Sequence, residues 1–175
     1  MILISGFLNH TVRAQQPGKF PRGVPDPGRS KDSLPYRVNP ILPEFSIMLM
    51  DSSTIFNSKS IPTGKPIVLM LFSPGCQHCS DAIDTILKGM DMLNDVRFYL
   101  ISTMQSMTMI RKFYNDHHLE RYKNIEAIGW DFDFFYLEDY GTMQIPDFAV
   151  YTKNKKLIKL FEVNMSAREL YDCTR

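Results

Sequence analysis

The chain has 175 residues, 20 Lys plus Arg against 19 Asp plus Glu, and a hydrophobic fraction of 44%. That fraction is enough for one ordinary globular core. The net charge of +1 is dispersed along the chain, which argues against nucleic acid as a partner, because nucleic-acid binding needs clustered Lys and Arg. No run reaches the roughly 18 to 20 apolar residues that cross a bilayer as a helix, so no membrane span is expected in the mature chain.

The first 43 residues form two stretches that precede the predicted domain. Residues 1–14 begin with a mostly apolar run and end in Val12-Arg13-Ala14, a pattern loosely typical of a secretory signal, and we interpret them as a signal remnant. Residues 15–43 hold seven of the eleven prolines and predict an extended tether or surface wrap. The folded domain is therefore predicted to span residues 44–175.

Turn residues and hydrophobic spacing divide this domain into a strand pair, a β-α-β-α unit, a hairpin and a last helix. The apolar run Ile67–Phe72 is typical of a strand covered on both faces. Residues 130–140 have no clear pattern. In chain order we predict strands at 45–50, 54–57 and 67–72, a helix from about 76 to 93, a strand at 96–102, a helix from 104 to about 117, strands at 148–151 and 157–162, and a short helix after Ser166.

Two of the three cysteines, Cys76 and Cys79, lie where the buried strand passes into the amphipathic helix. A helix N-terminus leaves backbone N–H groups unpaired and has the positive end of the helix dipole, so it favours the thiolate of Cys76. Cys79 lies one turn later on the apolar face, near enough to form a disulfide but shielded from solvent. We predict that Cys76 is the nucleophile of thiol–disulfide exchange and that Cys79 is the resolving residue.

Four neighbouring residues are expected to modulate the pair, namely Pro74, Gly75, Gln77 and His78. His78 is able to stabilise the Cys76 thiolate, which favours the reduced form and makes the disulfide a stronger oxidant. The alternative is a solvent-facing His in the first helical turn.

The strand-Cys-x-x-Cys-helix arrangement, the β-α segment after it, and the stretch from Tyr140 to Pro146 before a hairpin and final helix resemble the thioredoxin-like superfamily. Within it, the TlpA-type extracytoplasmic thiol-disulfide oxidoreductases are most similar. The resemblance spans Glu44 to Asp172 and implies a thioredoxin-like α/β fold, with a central mixed sheet flanked by helices. It also implies a cis peptide bond before Pro146, with Ile145 and Pro146 binding an extended substrate beside the cysteines.

The sequence departs from thioredoxins at two positions. Thioredoxins have a Trp just before the first Cys and a buried Asp six residues before it, where this chain has Gly75 and Met70. No carboxylate is therefore evident that takes the proton from Cys79. Glu138 or Asp139 is the candidate substitute.

A metal site is the main chemical alternative, because a Cys-x-x-Cys with a nearby His offers ligands for zinc or copper. The chain has no second such motif, and His117 and His118 are expected at a helix end, where a cation is favourable. We therefore expect no metal and no organic cofactor. Cys173 is interpreted as a spare thiol, and the aromatic segment around Trp130 as a cap on the core.

These patterns together predict a thiol–disulfide oxidoreductase that exchanges disulfides with protein dithiols or disulfides, with the direction of electron flow left open. Export to a bacterial periplasm or cell envelope is favoured, because such compartments are oxidising. Cytoplasmic location is the alternative. The alternative function is a thioredoxin-like protein-binding module whose cysteine pair is non-catalytic or binds metal.

Overall fold

The computed structural model describes residues 26, 28–162 and 165–175. The predicted signal remnant, residues 1–14, lies outside the described residues. So do residues 15–25 and 27 of the proline-rich stretch. The described part of the proline-rich stretch includes two short helical segments, Lys31–Ser33 and Pro35–Val38, where an extended chain is predicted. Leu34 between them is buried, so this part of the stretch packs on the domain.

Among the described residues, seven strands form one mixed sheet, and five α-helices accompany it. The strands are β1 (Ser46–Leu49), β2 (Ile55–Asn57), β3 (Ile67–Phe72), β4 (Arg97–Ser102), β5 (Ile125–Trp130), β6 (Asp147–Tyr151) and β7 (Leu157–Glu162). The helices are α1 (Pro35–Val38), α2 (Gln77–Leu87), α3 (Met107–Asp116), α4 (Phe135–Tyr140) and α5 (Ala167–Cys173). The strand order is β2-β1-β5-β4-β3-β6-β7. No helix among the described residues is long and apolar enough to cross a membrane.

Strand β3 lies in the interior of the sheet, covered on both faces, as its unbroken apolar sequence predicts. All six of its residues are buried, and it pairs in parallel with β4 and antiparallel with β6. Strand β5 extends the parallel part of the sheet beyond β4. Since β3, β4 and β5 run in the same direction, their carboxyl ends meet at one edge of the sheet.

The two faces of the sheet are covered by separate core clusters, because successive strand residues point to opposite sides. Val68, Met70 and Phe72 of β3 pack in a first cluster with residues of α2, α3 and α5. Leu69 and Leu71 pack in a second cluster, which contains the aromatic residues of α4. The α/β fold class predicted from the sequence, a mixed sheet flanked by helices, is confirmed.

Helix α2 ends at Leu87, whereas the hydrophobic spacing predicts a helix to Leu93. Gly89 follows the helix, and a Cβ atom at this position would lie 2.5 Å from the Cβ of Ala167 at the start of α5. The chain then forms a tight turn at Met90–Leu93, which buries Met90 and Leu93 without continuing the α-helix. The predicted burial of these side chains is confirmed, and the predicted length of the helix is wrong.

Asp147, at the start of β6, is a buried carboxyl on the second face of the sheet. Its Oδ1 atom accepts a hydrogen bond of 2.6 Å from the hydroxyl of Tyr136. Burial raises the pKa of Asp147 to about 6, while the Tyr136 hydroxyl acts in the opposite direction. The folded protein therefore binds the proton of this carboxyl more tightly than the unfolded chain does.

This difference predicts how stability depends on pH. Between the ordinary pKa of 3.8 and the folded value of about 6, the folded state binds more protons, so ionisation of Asp147 lowers stability as pH rises. Asp147→Asn should therefore gain about 2 kcal/mol relative to the natural protein between pH 4 and pH 7. Urea unfolding at several pH values measures this gain. Asp95→Asn, which changes an exposed carboxylate, is the control, and an Asp147→Asn difference that does not vary with pH would contradict the assignment.

Candidate functional site

Cys76 lies at the sheet edge where the parallel strands end. Ser73, Pro74 and Gly75 form the turn between β3 and α2, and the backbone N–H of Cys76 closes this turn on the carbonyl of Ser73 at 3.0 Å. Cys76 is the N-cap residue of α2, with an extended backbone at φ −91° and ψ 115°. The predicted start of the helix at Cys76 is confirmed.

The sulfur of Cys76 takes the place that a Ser, Thr or Asp oxygen usually has at an N-cap. Its Sγ accepts a hydrogen bond from the backbone N–H of Cys79 at 3.3 Å. The side chain is also half-buried rather than enclosed, so a partner is able to reach it. Hydrogen bonding and the helix dipole both stabilise negative charge on this sulfur.

Cys79 is fully buried one turn into α2 and belongs to the first core cluster with Ala82 and Ile83. The pKa of Cys79 is raised to about 12, mainly by burial and also by its hydrogen bond with the Cys76 side chain, while a hydrogen bond with the Ser73 backbone acts in the opposite direction. The two thiols are thus close together in different surroundings. Burial therefore keeps the proton on Cys79.

The structure places no carboxylate beside Cys79 among the described residues. Met70 lies in the same core cluster as Cys79, which confirms that an apolar side chain occupies this side of β3. Glu138 and Asp139 belong to α4, whose aromatic residues pack on the opposite face of the sheet. Glu138 is exposed and forms an ion pair with Arg29 at 3.4 Å. Neither residue hydrogen-bonds to Cys79.

The residues predicted to modulate the pair have different surroundings. Gly75, Gln77 and His78 are exposed, and Pro74 is half-buried. The amide of Gln77 donates a hydrogen bond to Asp81 Oδ1 at 2.9 Å, one turn along α2. The imidazole of His78 makes no hydrogen bond to Cys76, so any influence on the sulfur acts through space.

The peptide bond between Ile145 and Pro146 is cis, as the resemblance implies. Pro146 is buried, and the half-buried Ile145 packs against both core clusters. Asp147, the next residue, pairs with Leu71 near the end of β3. This register brings the loop that ends at Pro146 to the same sheet edge as Cys76.

The other candidate residues lie away from the pair. His117 ends α3, as predicted, and its Nδ1 contacts Asp84 Oδ1 at 2.7 Å. Cys173 lines a cavity of about 460 Å³ together with Pro66, which precedes β3 and so lies at the opposite edge of the sheet. Across the described part of the chain, no three His, Cys, Asp or Glu residues are grouped to hold a metal ion.

Met109 is a site residue that hydrophobic spacing does not reveal. Hydrophobic spacing predicts Met107, Ile110 and Tyr114 on the buried side of α3, and Met109 falls on the outer face. Its Cε atom lies 3.5 Å from the position that a Cβ would have on Gly75, so the exposed side chain covers the turn before Cys76. Only the tertiary structure brings α3 beside this turn.

The buried state of Cys79 predicts a pH-dependent second step in any exchange reaction. Neutral pH is far below the Cys79 pKa of about 12, so the fraction of Cys79 present as thiolate rises about tenfold for each pH unit. In rapid mixing with a fluorescent peptide disulfide, release of peptide from the mixed disulfide should accelerate steeply between pH 6 and pH 8. Cys173→Ser should behave like the natural protein. A release rate that is constant over this range would contradict the assignment.

No protein-family model matches the sequence, and no curated protein matches it in sequence. Similar solved structures include DsbF of Mycobacterium tuberculosis in mixed oxidised and reduced forms, with 21% identity, 75% of this chain and 96% of that chain covered, and a TM-score of 0.62. A secreted disulfide oxidoreductase from the same organism, homologous to E. coli DsbE, has 21% identity, coverage of 74% and 92%, and a TM-score of 0.58. StoA from Bacillus subtilis has 14% identity, coverage of 78% and 99%, and a TM-score of 0.57. These similarities confirm the predicted thioredoxin-like fold.

Proposed function

We propose that this thioredoxin-fold protein is a thiol–disulfide oxidoreductase that exchanges disulfides with protein partners through Cys76 and Cys79. The observation that supports it best is the contrast between the two thiols. Cys76 is accessible and caps the N-terminus of α2, whereas Cys79 is fully buried and keeps its proton. One sulfur is thus placed to attack a partner, and the other is placed to attack the first.

The reaction proceeds in two balanced steps. The Cys76 thiolate attacks one sulfur of a partner disulfide, a new S–S bond forms, and the other partner sulfur leaves as a thiolate that takes a proton from water. Cys79 then loses its proton to solvent and attacks Cys76, which releases the second partner thiol and leaves a Cys76–Cys79 disulfide. The two electrons come from the cysteine pair, so no organic cofactor is needed. The reverse sequence oxidises a dithiol partner.

Ile145 and Pro146 are proposed to bind the partner, and His78 to modulate the potential. The loop at Pro146 shares its sheet edge with Cys76, so a partner segment held there lies beside the reacting sulfur. His78 is exposed in the first turn of α2, where a positive imidazole favours the thiolate form of Cys76.

We further propose that the protein acts in an exported, oxidising compartment such as a bacterial periplasm or cell envelope. Disulfides form and persist in such compartments, so a protein that exchanges disulfides has substrates there. The similar structures include a secreted disulfide oxidoreductase, which agrees with this location. The apolar start of the sequence agrees with it as well.

Trapping with single variants tests the division of roles. Cys79→Ser cannot resolve the intermediate, so it should accumulate mixed disulfides through Cys76, about tenfold or more above Cys76→Ser. Non-reducing gels and mass spectrometry of the linked peptides measure the trapped species. Cys173→Ser is the matched control and should trap as little as the natural protein.

A redox titration of the natural protein completes this test. A dithiol potential between roughly −120 and −270 mV is expected. Equal trapping by the two site variants would contradict the roles of the cysteines. Absence of any titratable dithiol would contradict the proposed function and favour a non-catalytic binding module.

A further inference from the structure

The cavity of about 460 Å³ that Cys173 lines is at the sheet edge opposite to Cys76. Pro66 and Val96 come directly before β3 and β4, and Thr152 comes directly after β6, so these lining residues lie where the parallel strands begin. Small-molecule sites in proteins typically have volumes of about 300 to 1,000 Å³, and this cavity is within that range. It takes no part in the proposed exchange reaction.

Apolar side chains from separate parts of the chain line much of this cavity. They are Pro66, Met92, Val96, Ile158 and Tyr171. Met92 and Ile158 are 42% and 39% exposed, so both present apolar surface to water. Because this surface is gathered in a concave site, an apolar molecule that fills the cavity removes it from water favourably.

Basic groups lie next to this apolar surface. Lys153 and Arg175 line the cavity, and neither has a carboxylate partner among the described residues. The Arg175 guanidinium lies 4.3 Å from the centroid of the Tyr171 ring, which holds it beside the cavity. A third basic residue, Lys159, acts on the Cys173 thiol, where its charge opposes the rise in pKa that burial causes.

Acidic groups at the cavity are fewer, and described basic residues contact them. Asp95 is the acidic side chain in the lining, and Lys65 contacts it at 3.5 Å. Asp172 of α5 pairs with Arg168 at 3.0 Å. The basic groups still outnumber the acidic ones when the main-chain carboxylate of Arg175, the last residue of the sequence, is counted. The charges around the cavity therefore favour an anion.

We infer that this cavity binds a small molecule with an apolar body and a carboxylate, such as a medium-chain fatty acid. The carboxylate lies beside Lys153 and Arg175, and the hydrocarbon chain covers Met92 and Ile158. Apolar contact supplies most of the affinity, because charge interactions at an exposed site are weak. The site is separate from the cysteine pair, so the inference does not depend on the exchange activity.

Protection of Cys173 from alkylation reports binding at this place, because Cys173 lines the cavity and Cys76 does not. The reduced natural protein is treated with iodoacetamide with and without sodium octanoate, and the labelling of each cysteine peptide is quantified by mass spectrometry. Saturating octanoate should slow the labelling of Cys173 at least about fivefold, since the bound molecule covers the lining. The labelling of Cys76 should not change.

Two further probe molecules separate the roles of chain and charge. Acetate has the carboxylate without the chain, and octyltrimethylammonium has the same chain with a positive charge. Acetate at the same concentration should not protect Cys173, because it provides no apolar contact. Octyltrimethylammonium should need at least about fivefold more than octanoate for the same protection, because the basic residues repel it.

A double variant assigns the charge preference to the two basic residues of the lining. Lys153→Gln combined with Arg175→Gln should weaken octanoate binding about fivefold in a calorimetric titration and should not weaken the binding of octyltrimethylammonium. Lys123→Gln is the matched control, because Lys123 is an exposed lysine outside the cavity lining. It should bind octanoate like the natural protein.

The outcomes that contradict the inference are distinct from those that contradict the proposed function. Failure of octanoate to slow the labelling of Cys173 would overturn the inference, and so would equal protection by acetate or equal affinity for octanoate and octyltrimethylammonium. A double variant that binds octanoate as tightly as Lys123→Gln would overturn the role of Lys153 and Arg175, even where Cys173 itself is labelled too slowly to report. None of these results changes the trapping or the redox titration at the cysteine pair.

Discussion

The hydrogen bond from the backbone N–H of Cys79 to the sulfur of Cys76 is the interaction on which the site depends. It makes the sulfur the cap of α2 and places it where the helix dipole favours negative charge. The same helical turn buries Cys79 beneath it. Two chemically identical thiols, three residues apart, thereby have different surroundings: one caps the helix and is accessible, and the other is buried with a raised pKa.

The rest of the fold holds this turn in place. Strand β3 is buried on both faces and paired on both sides, so the turn that starts at Ser73 extends from a rigid strand. Phe72 at the end of that strand packs against Phe113 of α3 with ring centroids 4.6 Å apart. Helix α3, which contains Met109, is therefore positioned against the same strand end that presents Cys76.

The sequence predicts well those elements of the fold that have a local sequence signal. The apolar run of β3, the helix that starts at Cys76, and the hairpin β6–β7 each have such a signal. The start of α5 is another, because Ser166 and Glu169 form the predicted capping box. Each signal is contained within a few neighbouring residues, so the element can be predicted without knowledge of the tertiary contacts.

Strand β5 and helix α4 lack such local signals. Helix α4 follows Phe134, whose backbone is left-handed at φ 56°, and it is capped by the buried side chain of Asp131. In β5, Gly129 lies against β1, where a Cβ would be 2.4 Å from the carbonyl oxygen of Met48. Both features depend on contacts between distant residues, which a single sequence does not display.

The candidate site shows the same division. Sequence position predicts that Cys79 is buried, and the family resemblance implies the cis bond before Pro146; both are confirmed. The sequence does not reveal that Glu138 and Asp139 lie on the helix that packs against the other face of the sheet, nor that Met109 covers the turn before Cys76. These placements require the topology of the sheet and the packing of α3.

Competitive alkylation tests the central contrast between the thiols most directly. The reduced protein is treated at pH 7 with less than one equivalent of iodoacetamide, and the modified peptides are quantified by mass spectrometry. We expect Cys76 to be alkylated well before Cys79, and before the half-buried Cys173, whose pKa burial raises. Equal modification of the three cysteines, or faster reaction at Cys79, would contradict the account.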